Sequence, residues 1–199
     1  MKEHRESFLT NPSIFLRMNQ AKKRLRELAW SEFRDRYAPI IAGFARKLAV
    51  KPQDIDDIIQ DVLLGFFAKS PTFVYDPAKG RFRGYLKVCT FRAMRDRLGK
   101  AVKFSGVSID QLDPELLSVE AAWSDVWEKE QMQRVMEAVR QDYRGAKTFR
   151  AFELYAMENQ TAEDVANTLE MSVDSVYKAK ERITKAIREK LQRLAEEEG

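Results

Sequence analysis

A single cysteine, Cys89, and a single histidine, His4, leave this 199-residue chain poorly equipped for covalent or metal chemistry. One thiol builds neither an intramolecular disulfide framework nor a multi-cysteine zinc site. One histidine near the N-terminus completes neither a catalytic triad nor a histidine-ligated metal centre. What the sequence does hold is binding chemistry, in carboxylates, cations and aromatic rings that are unevenly spread.

The first concentration is acidic. Asp54 to Asp61, DIDDIIQD, has four acids and no base. Ile55, Ile58, Ile59, Val62, Leu63, Phe66 and Phe67 recur there at three- and four-residue steps, which predicts a helix with a core-facing stripe about 100° wide or more. Asp57, Gln60, Asp61 and an exposed Leu64 then share the opposite face. Acidic acceptors around one apolar contact suit a basic partner helix. A solvated face is the plain alternative. A carboxylate metal site for nuclease chemistry is a third reading, with no second acidic motif or histidine to complete it.

The second concentration is basic and aromatic. Arg81 to Lys103 has eight bases and one acid. Phe73, Tyr75, Phe82 and Tyr85 are interleaved with Lys79, Arg81, Arg83 and Lys87. Aromatic faces stack on unpaired nucleobases at about 1–3 kcal/mol each, and the cations neutralise backbone phosphate. Phe82 and Tyr85, close to Leu86, serve equally well as core residues; Phe73 and Tyr75 fall in a loop marked by Pro71, Asp76, Pro77 and Gly80.

The elements that position these groups read as helices. Only 8 glycines and 6 prolines argue against a turn-rich β protein, and 44% hydrophobic residues suffice for a buried core. Apolar residues from Trp30 to Leu48 keep helical spacing, with Pro39 expected at a bend or a helix start. Lys51-Pro52-Gln53-Asp54 is a break with Asp54 as N-cap, and a further helix covers roughly 84–98. Helices resume near Ser124, with Trp127, Met132, Val135, Met136 and Val139 mostly on one face. Phe149, Phe152, Leu154 and Tyr155 belong to the next. The expected fold is all-α, in two helical domains over 1–98 and 124–199, joined by a flexible linker over 99–123 that carries Asp110, Asp113, Glu115 and Glu120. No apolar run approaches the length of a membrane span, and the N-terminus lacks a signal-peptide core, so no membrane insertion and a cytoplasmic location are expected.

Near the C-terminus, AEDVANTLEMSVDSVYKAKE (162–181) fits a helix-turn-helix template. Ala166 falls at the helix crossing, and Val165, Leu169, Met171, Val176 and Ala179 fall at buried positions. Thr161 with Asp164 and, separately, Ser172 are placed to cap the two helices. Glu170 occupies the turn position where such motifs carry glycine, at a cost of about 1–2 kcal/mol. Projection at about 100° per residue turns Asp174, Lys178, Glu181, Arg182 and Lys185 outward with Ser175 at the flank. That face suits a DNA major groove. Any small helical hairpin with a charged surface is the alternative.

DIDDIIQDVLLGFF, then FVYDPAKGRFRGYLKVCTFRAMRDRL, then this helix-turn-helix together resemble an extracytoplasmic-function (ECF) sigma factor of bacterial RNA polymerase, in the sigma-70 family. NPSIFLRM and AWSEFRDRYAPII look like the subset abundant in planctomycete-type bacteria. The resemblance implies that Asp57, Gln60, Asp61 and Leu64 dock on the clamp helices of core RNA polymerase. It implies that Phe73, Tyr75, Arg81, Arg83, Tyr85, Lys87, Arg92 and Arg95 melt and hold the minus-10 element. Ser172, Asp174, Ser175, Lys178, Arg182 and Lys185 would then read the minus-35 element. Tyr85 stands where many relatives have tryptophan, and Arg92 where a base-reading asparagine is common.

The implied partners are core RNA polymerase and promoter DNA, both duplex and melted non-template strand, with an anti-sigma factor as a further partner of such proteins. No catalytic residue, metal or cofactor is required, because selective capture of unpaired bases shifts the duplex-to-open equilibrium by differential affinity. A 25-residue linker spans at most about 80–90 Å, against roughly 70 Å between elements two DNA turns apart. Three rivals remain at this stage: a duplex-binding regulator that uses only the helix-turn-helix, an enzyme acting on nucleic acid, and a polymerase-binding decoy.

Overall fold

The computed structural model describes residues 13–18, 22–70, 82–98 and 114–198. Among these the chain is all-α, with no strand. It divides into two compact units, one over Thr10–Glu130 and one over Gln131–Glu197.

The N-terminal unit holds α1 (Ser13–Met18), α2 (Lys23–Lys47), α3 (Pro52–Lys69), α4 (Phe82–Leu98) and the first half of α5 (Pro114–Asp142). Helix α2 is its hub. Phe33, Tyr37, Ile40, Ile41 and Phe44 step along one side at helical spacing and are fully buried. Onto them α1 brings Ile14, Phe15 and Met18, α3 brings Ile55, Ile58, Val62 and Phe66, and α4 brings Phe82, Leu86 and Met94. Phe33 and Phe66 stack at 4.6 Å. The buried Thr90 hydroxyl donates to the Leu86 carbonyl one turn back, so its burial leaves no unmet donor.

One expected helix boundary is narrowed and another is corrected. Of the two places expected for Pro39, a bend or a helix start, the start is excluded, since Pro39 lies inside α2; it is on the exposed side, where the carbonyl that loses its amide partner can meet water. Lys51, in extended conformation, is the residue before α3, and Pro52 takes the first helical position where its missing N–H costs nothing. Asp54 therefore sits in the first turn instead of capping it.

The domain boundary also moves. Residues 99–113 lie outside the described residues, but helix α5 begins at Pro114 and its first half belongs to the N-terminal core. Trp123 is fully buried edge-on to Phe44 at 4.9 Å, and Trp127 packs beside Tyr37. Val126 approaches α2 so closely that a Cβ on Gly43 would fall 2.8 Å from its Cγ1. A linker running to residue 123 and a second domain from 124 are thus redrawn, with the division between units at Glu130 and Gln131. Trp123 cannot remain in a solvated linker when an apolar slot of its size is available.

The C-terminal unit contains the rest of α5, α6 (Lys147–Phe152), a π-helical turn (Glu153–Met157), α7 (Ala162–Leu169) and α8 (Val173–Glu198). Helix α8 closes two small cores. Val176 and Ala179 pack with Val165, Ala166 and Leu154. Ile183 and Leu194 pack with Val135, Val139, Phe149 and Phe152. Met132, expected on the inward face of α5, is exposed.

Candidate nucleic-acid and polymerase interfaces

Helix α3 presents Asp57, Gln60, Asp61 and Leu64 together on its exposed side, as the periodicity predicts. Leu64 is 56% exposed, and Phe67, expected in the core stripe, is 54% exposed. The stripe on α3 is wider than the core it meets. Its surplus, Ile59, Leu63, Leu64 and Phe67, joins Met18 and Trp30 to line a groove of about 1070 Å³ between α1, α2 and α3. Gln60 and Asp56 lie on the groove's margin with Lys23, Arg26 and Arg34. Sequence periodicity marks these side chains as apolar but does not separate those that face a partner from those that face the core. Trp30 and Phe67 pack against each other at 4.7 Å, which holds the groove wall in place.

The acids on this face are already in contact with a cation. Arg97, on the last turn of α4, donates from Nε to Asp61 Oδ2 at 3.0 Å and also pairs with Asp57. The hydrogen bond to Asp61 and the charge of both carboxylates raise the Arg97 pKa above its ordinary value.

Helix α4 sorts the expected minus-10 residues into three groups. Phe73, Tyr75 and Arg81 lie outside the described residues. Arg83 and Lys87 turn toward α5: an Arg83 terminal nitrogen donates to Ser124 Oγ at 2.7 Å, its guanidinium lies 5.6 Å from the Trp127 ring centroid, and Lys87 pairs with Glu120. Arg92 and Arg95 remain on the exposed face beside Gly84 and Val88, with Arg95 near its neighbour Asp96. Tyr85 is half-buried, flanking the core beside Phe66 and Phe82. Burial, with the Cys89 thiol one turn on, pushes its phenol up to about 12. Phe82 is a core residue, packed on Phe15, Phe33 and Tyr37.

In the C-terminal unit the local signals hold to the residue. The Thr161 hydroxyl accepts from the Asp164 amide at 3.1 Å and donates to its carboxylate at 2.7 Å. The Ser172 hydroxyl accepts from the Ser175 amide at 3.1 Å and lies 2.8 Å from Ser175 Oγ. Glu170 takes the left-handed conformation, φ 51°, between α7 and α8. Lys147 supports that turn by donating to the Leu169 carbonyl at 2.6 Å. Asp174, Lys178, Arg182 and Lys185 are exposed on α8, with Ser175 at the flank. Lys178 pairs with Asp174 at 2.7 Å, and that hydrogen bond raises its pKa. Ser172 is thus committed to capping, while Arg182 and Lys185 extend the basic outer face.

Residues 33–104 match the family model described as sigma-70 region 2. The match runs from Phe33 in α2 through α3 and α4; it takes in the acidic face and the α3 side of the groove, whereas the groove residues from Met18 to Ser31 precede it. The match supports a sigma-70 family sigma factor and, for the matched residues, indicates RNA polymerase binding and promoter melting. No curated protein matches the chain. Among the described residues no helix is long and apolar enough to cross a membrane, and no cluster of three or more His, Cys, Asp or Glu is arranged to hold a metal.

Proposed function

We propose that the protein is an ECF-type sigma factor, of the planctomycete-type subset, that docks on core RNA polymerase through α3 and directs initiation at a two-element promoter. The observation that carries this reading is the joint exposure of Asp57, Gln60, Asp61 and Leu64 beside the apolar groove. A basic helix with an apolar edge finds there both carboxylate acceptors and a slot for its apolar side chains. Arg92 and Arg95 on the outer face of α4 are placed to neutralise phosphates of the minus-10 strand, and Phe73 and Tyr75 are assigned to stacking on its unpaired bases. Arg83 and Lys87, paired with α5 in the free chain, are assigned to the same strand and would exchange those contacts for phosphate. Tyr85 contributes one ring edge to the strand-binding side while its body packs on the core.

The α7–α8 pair is assigned to the minus-35 element as a helix-turn-helix. Its outer residues Ser175, Lys178, Arg182 and Lys185 meet the groove, with Asp174 both accepting from bases and holding Lys178. Ser172 keeps the first turn of α8 in register. The protein would act in the cytoplasm, and an anti-sigma protein would compete for the same α3 face.

Reconstitution with core polymerase and promoter DNA tests the reading. Promoter-dependent transcript is expected with the wild-type chain and loss of polymerase binding with Asp61→Arg, whose charge opposes a basic partner. Tight duplex binding by the protein alone, with no transcript on adding polymerase, would instead identify a duplex-binding regulator.

A further inference from the structure

The contact between Arg97 and α3 joins residues 36 and 40 positions apart in sequence. Asp57 and Asp61 are one helical turn apart, so a single guanidinium reaches both, with Nε and Nη2 on Asp61 Oδ2 and Nη1 on Asp57. Arg97 has no share in the apolar core: the buried run of α4 ends at Met94, and the Arg97 side chain is 35% exposed. The two carboxylates are 51% and 46% exposed, so nothing else in the fold requires them to be neutralised. Exposed acids one turn apart are ordinarily left to water. Here a long side chain from another helix occupies the place where the Lys or Arg of a basic partner would sit.

We propose that Arg97 is an autoinhibitory counter-ion, which a basic partner helix must displace from Asp57 and Asp61 before it can dock on α3. The proposal rests on the reading of α3 as a docking face. Its consequence is selectivity. A polycation that offers charge alone exchanges one ion pair for another and gains little. A partner that also fills the groove beside Leu64 and Phe67 gains apolar burial that Arg97 cannot supply.

Two binding partners separate this idea from the reading beneath it: core polymerase, and a synthetic lysine-rich helical peptide that supplies charge without a matched apolar edge. Full-length wild type, Arg97→Gln and Lys51→Gln are compared; Lys51 is an exposed cation immediately before α3 and controls for net charge. Arg97→Gln should tighten peptide binding by about three- to tenfold, the scale of losing two exposed pairs. Lys51→Gln should tighten it by less than about twofold. The gain should vanish in Arg97→Gln combined with Asp57→Asn and Asp61→Asn. Thermal unfolding of Arg97→Gln close to wild type shows that the gain is not a folding effect. Equal gains from Arg97→Gln and Lys51→Gln, or weaker peptide binding by Arg97→Gln, would overturn the proposal. Wild type that fails to bind polymerase, with the peptide results as expected, would sink only the polymerase reading.

Discussion

Replacing Trp123 with alanine separates a packed helix from a tether. In this fold the Trp123 ring is fully buried, edge-on to Phe44 at 4.9 Å and tilted against Trp127 at 5.8 Å. Truncation of a fully buried tryptophan costs about 3–5 kcal/mol, part lost transfer energy and part cavity. The slot lies between α2 and α5, whose approach at Gly43 is already tight, so collapse around the void would have to move a whole helix. The upper half of that range is therefore expected, about 4 kcal/mol. The N-terminal unit has about 120 residues, for which the unfolding entropy near the midpoint is about 0.25 kcal/mol/K. A loss of that size lowers its Tm by about 15 °C. Urea unfolding followed by far-UV circular dichroism, with the C-terminal unit's transition as an internal reference, measures the effect. A substitution in an exposed, unpacked segment stays within about 0.5 kcal/mol. A measured loss below about 1 kcal/mol would refute the packing of α5 into this unit.

Two further outcomes are expected. Glu170→Gly should stabilise the C-terminal unit by roughly 1 kcal/mol in urea unfolding, because glycine adopts φ 51° without the Cβ penalty and Lys147 keeps its bond to the Leu169 carbonyl. Tyr85 governs an alkaline effect. Its phenol, at about 12, binds its proton more tightly in the folded state than in the unfolded chain near 10, so its contribution to stability is complete below pH 10 and is lost as pH rises toward 12. Tyr85→Phe should therefore flatten the fall in stability over that window, and an unchanged slope would show that the ring is not desolvated.

How much was legible from sequence differs by element. The caps at Thr161 and Ser172, the left-handed Glu170 and the outward face of α8 follow from residues within four positions of one another, and each is found as expected. The acidic face of α3 was legible for the same reason, since one helix places Asp57, Gln60, Asp61 and Leu64 by its own pitch. Helix α5 was not. Its first turns are acidic and carry turn formers, and the ordering force is the burial of Trp123 and Trp127 against residues about 80–90 positions earlier. For Arg83 and Lys87 the sequence records their charge and not the Ser124, Trp127 and Glu120 that take it up in the free chain.

The sequence by itself determined that the chain is helical, where its charges concentrate and which faces each helix has, because these depend on periodicity, capping and composition along a few turns. Tertiary structure alone decided which of those faces are spent. It left Phe67 and Leu64 uncovered, gave the first half of α5 to the N-terminal core and set Arg97 on Asp57 and Asp61. The physical reason is that burial and ion pairing depend on which surfaces meet in space, and a wide apolar stripe or a row of arginines is compatible with more than one neighbour until packing selects it.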